Sequence, residues 1–177
     1  LLDQWAMAKT RQLHERITQA YDDYDFARVV SSLQNFCSNE MGALYLDVTK
    51  DRLYTMQADS HGRRSAQTAM YAIVQVLVRA LAPVLSFTAE EIWRHIPGSE
   101  PTSVFLAGNA DLDALLPAQG VYLDADDALM QQLLAMREAV SKVLEPMRAE
   151  GRISAALQAE VTVYADGIDV AAMPGMQ

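Results

Sequence analysis

The sequence is poor in the residues that build most reactive or cross-linked centres. It holds one cysteine, Cys37, in 177 residues, and three histidines, His14, His61 and His95, far apart along the chain. A single thiol excludes an internal disulfide framework and a cysteine-based zinc site, and the histidine spacing fits no metal-ligand pattern, so no metal site is expected. His14-Glu15-Arg16-Ile17-Thr18 misses the zinc-protease H-E-x-x-H pattern, because Thr18 stands at the second ligand position. No glycine-rich phosphate loop of Walker or Rossmann type is present. No run of 18 apolar residues exists, and the first twenty residues are charged and amphipathic, so neither a helical membrane span nor a secretory signal is expected. These absences leave a cytoplasmic binding or structural module with no catalytic residues of its own.

Positive charge is also scarce. Fourteen Lys and Arg face twenty-three Asp and Glu, a net charge of −9, which argues against generic nucleic-acid binding and against DNA as a partner. The imbalance is uneven. Residues 1–98 carry ten basic and eleven acidic side chains, net −1; residues 99–177 carry four and twelve, net −8. An anion-binding surface therefore belongs to the first half, as a local patch. The candidate is the stretch from Tyr45 to Tyr71, where Lys50, Arg52, Arg63 and Arg64 fall within fifteen positions beside Tyr45, Tyr54 and Tyr71.

Around that stretch the periodicity is helical. Leu2, Trp5, Lys9, Leu13, Ile17 and Ala20 form one stripe; Asp22, Asp23 and Asp25 make an acidic turn suited to capping the next helix. That helix is expected from Phe26 to Leu44, with Phe26, Phe36 and Cys37 in the core. Ser65 is expected to cap a third helix reaching Leu81, apolar over most of its circumference and stopped by Pro83. Thr88 and Glu91 read as a capping box for a short fourth helix that buries Trp93, and Pro97-Gly98 ends it. Residues 99–127 look like a connector, with Val104-Phe105-Leu106 extended. A last helix is expected from Leu129 to about Met147, kinked or stopped at Pro146, and the alternation from Leu157 to Tyr164 reads as a strand. The fold class is mainly α: an up-and-down helical bundle over 1–98, a connector over 99–127, and a small α+β appendage over 128–177.

On residues alone, the cationic stretch is either an ordinary solvated surface whose arginines pair with Asp47, Asp51 and Asp59, or an RNA contact. In the second reading Lys50, Arg52, Arg63 and Arg64 meet phosphates, and tyrosines stack on unpaired bases. The Arg63-Arg64 pair at the head of a helix suits a phosphate, since a helix N-terminus attracts anions.

Several long strings then decide the family expectation: YDF at Tyr24–Phe26, FCSNEMGALYLDVTKDRLYT at Phe36–Thr55, RRSAQTAMY at Arg63–Tyr71, and LAPVLSFTAEEIW at Leu81–Trp93. In this order they resemble the anticodon-binding helical bundle of bacterial-type isoleucyl-tRNA synthetases, which are class I aminoacyl-tRNA synthetases. LAP-x-LSFTAEEIW alone would also suit the valyl enzymes. The chain departs from the family pattern after Ser103–Leu106, where Ala107-Gly108-Asn109 stands in place of the family's Trp, and at Pro146, Ser154 and Gln158.

The resemblance implies a piece of a longer enzyme that attaches isoleucine to its tRNA using ATP with Mg2+. The catalytic signatures are expected upstream of Leu1, and the family's zinc-binding cysteine cluster is expected outside this chain. It implies tRNA and the remaining synthetase domains as partners, no cofactor held by this chain, and no activity of the chain alone. The expected tRNA contacts are Lys50, Arg52, Arg63 and Arg64 on phosphate, with Asn39 and Tyr54 on base or sugar. The competing expectation is a helical protein-docking module without an RNA role.

Overall fold

A computed structural model describes residues 1–100, 102–115, 124–155, 158–162 and 164, with backbone alone at 124–126. The first apolar stripe forms α1 (Leu2–Asp22), with Trp5, Ala6, Leu13, Ile17 and Ala20 buried along it. The helix closes on Tyr24, whose φ is 58°, while the Asp25 N–H donates to the Ala20 carbonyl at 2.8 Å. Glycine is the usual occupant of such a left-handed closing position. Asp25 then caps α2 (Phe26–Asn35), its carboxylate accepting from the Arg28 N–H at 3.0 Å, so the acidic turn serves as the helix cap.

The next stretch departs from expectation. The helix does not end at Leu44; it widens into a π-helical segment, Phe36–Leu46, and continues as α3 (Asp47–Tyr54). The cause lies in the spacing of buried residues. Val29, Leu33 and Phe36 follow each other at four and three residues, Met41 comes five later, and Tyr45 and Thr49 follow at four. An unbroken α-helix turns about 100° per residue and would set Phe36 and Tyr45 on opposite faces. Wider i→i+5 turns bring both to the core. Cys37, beside Phe36 at the edge of the buried face, is an exposed thiol and not a core one. Phe26 is likewise not in the core: it is 53% exposed and meets Tyr21 and Tyr24 edge-on.

Helix α4 (His61–Leu81) starts four residues earlier than Ser65, because Ser60 is its N-cap and accepts from the Arg63 N–H at 3.4 Å. It is the central helix, burying Ala66, Ala69, Ala72, Ile73, Val76 and Val78. Helix α5 (Ser86–His95) starts ahead of Thr88, which lies inside the first turn, so the expected capping box does not form. Glu90 takes the anchoring role instead. Its carboxylate accepts from the Ser103 hydroxyl at 2.9 Å and the Val104 N–H at 3.2 Å; these bonds, the Ser103 one foremost, hold its pKa below the usual carboxylate range. The clamp winds Val104–Leu106 into a 3-10 turn in place of the expected extended piece, and seats Val104 in one cluster with Val78, Ala82, Ala89, Trp93 and Ile96. A short α6 (Leu112–Leu115) follows.

Two bonds establish the direction of the bundle. Asp3 and Ser65 join the starts of α1 and α4, and the Tyr21 hydroxyl donates to the Ala80 carbonyl at 2.9 Å near their ends. These two helices run the same way, the long α2–α3 run returns against both, and α5 reverses again on α4. This is the up-and-down order expected of the first 98 residues.

Among the described residues, those from Asp124 onward belong to a second compact unit, carried by α7 (Asp124–Ala149). The helix passes Pro146 and ends within a turn of it, where Gly151 takes φ 71° and the Arg152 N–H donates to the Met147 carbonyl at 2.9 Å. Of the expected strand, residues 158–162 and 164 are in no strand, since no second strand is there among the described residues to pair with them. Leu157 and Val163, like the chain end from 165 on, lie outside the described residues. Ser154 and Gln158 bond each other instead: the Gln158 Oε1 accepts from the Ser154 N–H at 2.8 Å and its hydroxyl at 2.9 Å.

Inside the first unit one polar group sits deep among apolar ones. Asp3, in the first turn of α1, is 8% exposed. It accepts from the Tyr45 hydroxyl at 2.9 Å, the Ser65 hydroxyl at 2.5 Å and Arg52 Nη1 at 3.4 Å, so α1, the α2–α3 run and α4 meet on one carboxylate. Burial, and then the adjacent Asp3 charge, push the Tyr45 phenol far above its usual range. A raised folded-state pKa contributes stability that is fully present below the unfolded value of about 10 and is lost as pH rises beyond it. Tyr45→Phe is expected to lower stability by about 2 kcal/mol at neutral pH and to flatten the alkaline limb above about pH 10 in urea titrations. Gly42 supplies a second test. A Cβ there would sit 3.0 Å from the Cys37 carbonyl oxygen, across the π turn. Gly42→Ala is therefore expected to forfeit the gain of about 1 kcal/mol that the swap brings in an ordinary helix; a clear rise in Tm would contradict the tight π turn.

Candidate nucleic-acid interface

The end of α3 and the start of α4 carry the cationic stretch, joined by a turn at residues 55–60. Lys50 is exposed and bonds Asp47 at 2.9 Å, an interaction that raises its pKa. Arg52 is half-buried, with Nη1 on the Asp3 carboxylate. Arg63 reaches back over the turn and donates to the Met56 carbonyl at 3.0 Å. Met56 lies over Gly62, where an added Cβ would meet its sulfur at 3.2 Å. Arg64 is exposed and donates to the Gln67 side chain at 3.2 Å.

Three of the four cations thus lie around the start of α4. Arg52 and Ser65 donate to the same Asp3 oxygen, which puts Arg52 beside the first turns of α4, where Arg63 and Arg64 precede Ser65 in the chain. No acid stands in that first turn, so two arginines sit at the positive end of a helix dipole, an arrangement that favours an anion. Tyr54, 83% exposed, closes α3 beside them. Asn39 lies farther back, on the π segment, exposed and bonded to Asn35 at 2.7 Å; no bond among the described residues joins it to the cations. Tyr45, one of the three tyrosines of the stretch, is fully buried and unavailable for stacking. Sequence reasoning missed Asp3 and Ser65, whose only signal was an acid two residues before the buried Trp5.

The other reactive groups remain unassembled. Burial lowers the His14 pKa, which favours the neutral imidazole. Among the described residues, no three His, Cys, Asp or Glu side chains gather as a metal site, and no helix is long and apolar enough to cross a membrane.

Comparison with known proteins identifies the family. Residues 3–163 match the family described as the anticodon-binding domain of tRNA ligase. The chain belongs to that family. Its relatives include isoleucine–tRNA ligases of Xanthomonas campestris pv. campestris strain 8004 and Xanthomonas axonopodis pv. citri strain 306, each 55% identical over 166 residues, or 94% of this chain. The isoleucine–tRNA ligase of Stenotrophomonas maltophilia strain K279a is 53% identical over 93% of it. The chain spans 17% of the length of each of these relatives. Within this anticodon-binding domain, the family match takes in every element from α1 to α7 and all six candidate contact residues.

The displaced thiol is open to a direct test. Cys37 is on the surface, yet the apolar atoms around it push its pKa up. The folded domain is expected to take up one equivalent of a thiol reagent slowly at pH 7, with the rate climbing steeply above about pH 8.5. Labelling only after addition of denaturant would return Cys37 to the core.

Proposed function

We propose that this domain docks the anticodon region of isoleucine tRNA within a cytoplasmic isoleucine–tRNA ligase, and that the full-length enzyme joins isoleucine to that tRNA using ATP with Mg2+. The observation that carries the reading is identity of 55% to isoleucine–tRNA ligases over 94% of the chain, inside a family defined by anticodon binding. ATP and its metal belong to the other domains of such an enzyme, as does any structural zinc. Residues 1–98 are the docking bundle.

In this reading Lys50, Arg63 and Arg64 meet backbone phosphates, Arg52 adds its charge from its seat on Asp3, and Tyr54 and Asn39 meet base or sugar. The head of α4 supports the assignment: it carries two arginines and no acid in its first turn, and it follows the end of α3 after the turn at residues 55–60. Phosphate contacts explain how an acidic chain can bind a polyanion: the cations need only outnumber acids locally, and they do so by one from Asp47 to Arg64. So small an excess positions RNA and does not hold it alone, which fits a domain working beside others.

The test is binding of isoleucine tRNA against a non-cognate tRNA across a salt series. Affinity is expected to fall with salt and to favour the isoleucine acceptor. Arg63→Ala/Arg64→Ala is expected to make the log–log slope shallower by about 1 for each phosphate that the arginines no longer neutralise. Equal slopes for variant and parent would remove the arginine pair, and an absence of tRNA binding would favour a protein-docking module.

A further inference from the structure

We propose that Asp3 is a positioning residue for RNA binding, acting through Arg52. The inference rests on the tRNA-docking reading and adds to it a residue whose own charge is of the wrong sign for the task. Asp3 takes one guanidinium nitrogen, Nη1, at 3.4 Å, and Arg52 keeps 30% of its side-chain surface open. Among the described residues no other bond occupies the rest of the fork. An arginine presents donors along more than one edge, so a carboxylate on one side can fix the plane of the group while another side stays open to a phosphate.

The carboxylate is itself held in place. The Tyr45 hydroxyl takes Oδ1 at 2.9 Å, and the Ser65 hydroxyl takes Oδ2, the oxygen Arg52 shares, at 2.5 Å. With both oxygens engaged and the residue 8% exposed, Asp3 is a fixed anchor. Ser65 follows Arg64 directly, so the anchor also sets the distance from Arg52 to the arginine pair at the head of α4. A flexible arginine would lose side-chain freedom on meeting a phosphate; Arg52 has given up part of it already by its contact with Asp3.

The proposal predicts a sign that simple electrostatics reverses. Asp3→Asn removes a negative charge near a phosphate site, so a pure charge effect would tighten RNA binding. Loss of positioning instead weakens it, by about five- to tenfold, the scale of coupling within one charged network. The experiment is a double-mutant cycle of Asp3→Asn and Arg52→Ala on isoleucine tRNA affinity, with each variant's folded fraction checked by circular dichroism at the assay temperature. Weakening by Asp3→Asn that disappears in the Arg52→Ala background is the expected result. Weakening of equal size in both backgrounds makes Asp3 a structural residue only, and unchanged or tighter binding by Asp3→Asn also overturns the proposal. Should Asp3→Asn fail to fold, Arg52→Lys carries the test: it keeps the charge and is expected to lose affinity, whereas parental affinity would overturn the inference. Salt-dependent binding that responds to Arg63 and Arg64 but not to Arg52 ends this proposal and leaves the tRNA reading standing. No RNA binding by the parent chain ends both.

Discussion

A buried carboxylate is the constraint to which the rest of the first unit answers. Taking an ionised aspartate out of water is costly unless its lone pairs are satisfied by good donors. Asp3 meets that condition with two hydroxyls and a guanidinium, and each comes from a different place in the sequence: Tyr45 at the end of the π segment, Arg52 on α3, Ser65 on α4. The donors must therefore arrive together. Slide α4 by one residue, or let α3 continue in a different phase, and a charge is left in the core without partners. Apolar packing of alanine and valine along α4 tolerates small shifts better than this, since dispersion contacts are non-directional. The carboxylate supplies the specificity of register that the apolar stripe lacks.

The π segment is the means by which the long α2–α3 run meets that demand. The run has to bury Val29, Leu33 and Phe36 near its start, then present Tyr45 to Asp3 and bury Thr49. These two sets fall on different faces of a regular α-helix. Eleven residues of wider winding, with Gly42 where a side chain would crowd the Cys37 carbonyl, bring the faces into line. Thr49 is satisfied within the same run, its buried hydroxyl donating to the Tyr45 carbonyl at 2.7 Å. Downstream of the correction, Lys50 and Tyr54 are turned to solvent and Arg52 half inward, which is the distribution the candidate interface needs.

The same constraint separates what could be read from the residues in order and what could not. The stripes of α1 and α4, the Asp25 cap, the stop at Pro83 and the buried Trp5, Phe36 and Trp93 all follow from 3.6-residue periodicity and local chemistry, and the structure keeps them. The errors cluster where a distant contact overrides a local preference. Cys37 fits the apolar stripe by spacing, but Phe36 beside it takes the core position and leaves the thiol exposed. Ser65 looks like a cap from its neighbours, but Ser60 caps α4 and leaves Ser65 for Asp3. Thr88 and Glu91 have capping-box spacing, yet Glu90 is drawn to Ser103 and the helix begins earlier. Asp3 itself was invisible as a functional candidate, because nothing within ten residues marks it as more than a surface acid. The family strings identified the family correctly, since whole strings carry their tertiary partners with them, and single residues do not.

The parallel course of α1 and α4 also bears on how an acidic domain can meet RNA. With the α2–α3 run returning between them, the bundle has two unlike ends. Arg52, Arg63 and Arg64 gather at the end that Asp3 ties together, while Asp22, Asp23 and Asp25 lie at the other, beside the bond from Tyr21 to Ala80. Screening in physiological salt confines exposed charges to a range of about 8 Å, shorter than the roughly 30 Å length of a 21-residue helix, so the acidic end weakens the basic end very little. Net charge is thus the wrong quantity for judging this surface. The relevant one is the local arrangement within a Debye length of the head of α4, and there Asp3 is a deeply buried acid whose charge holds Arg52 in place.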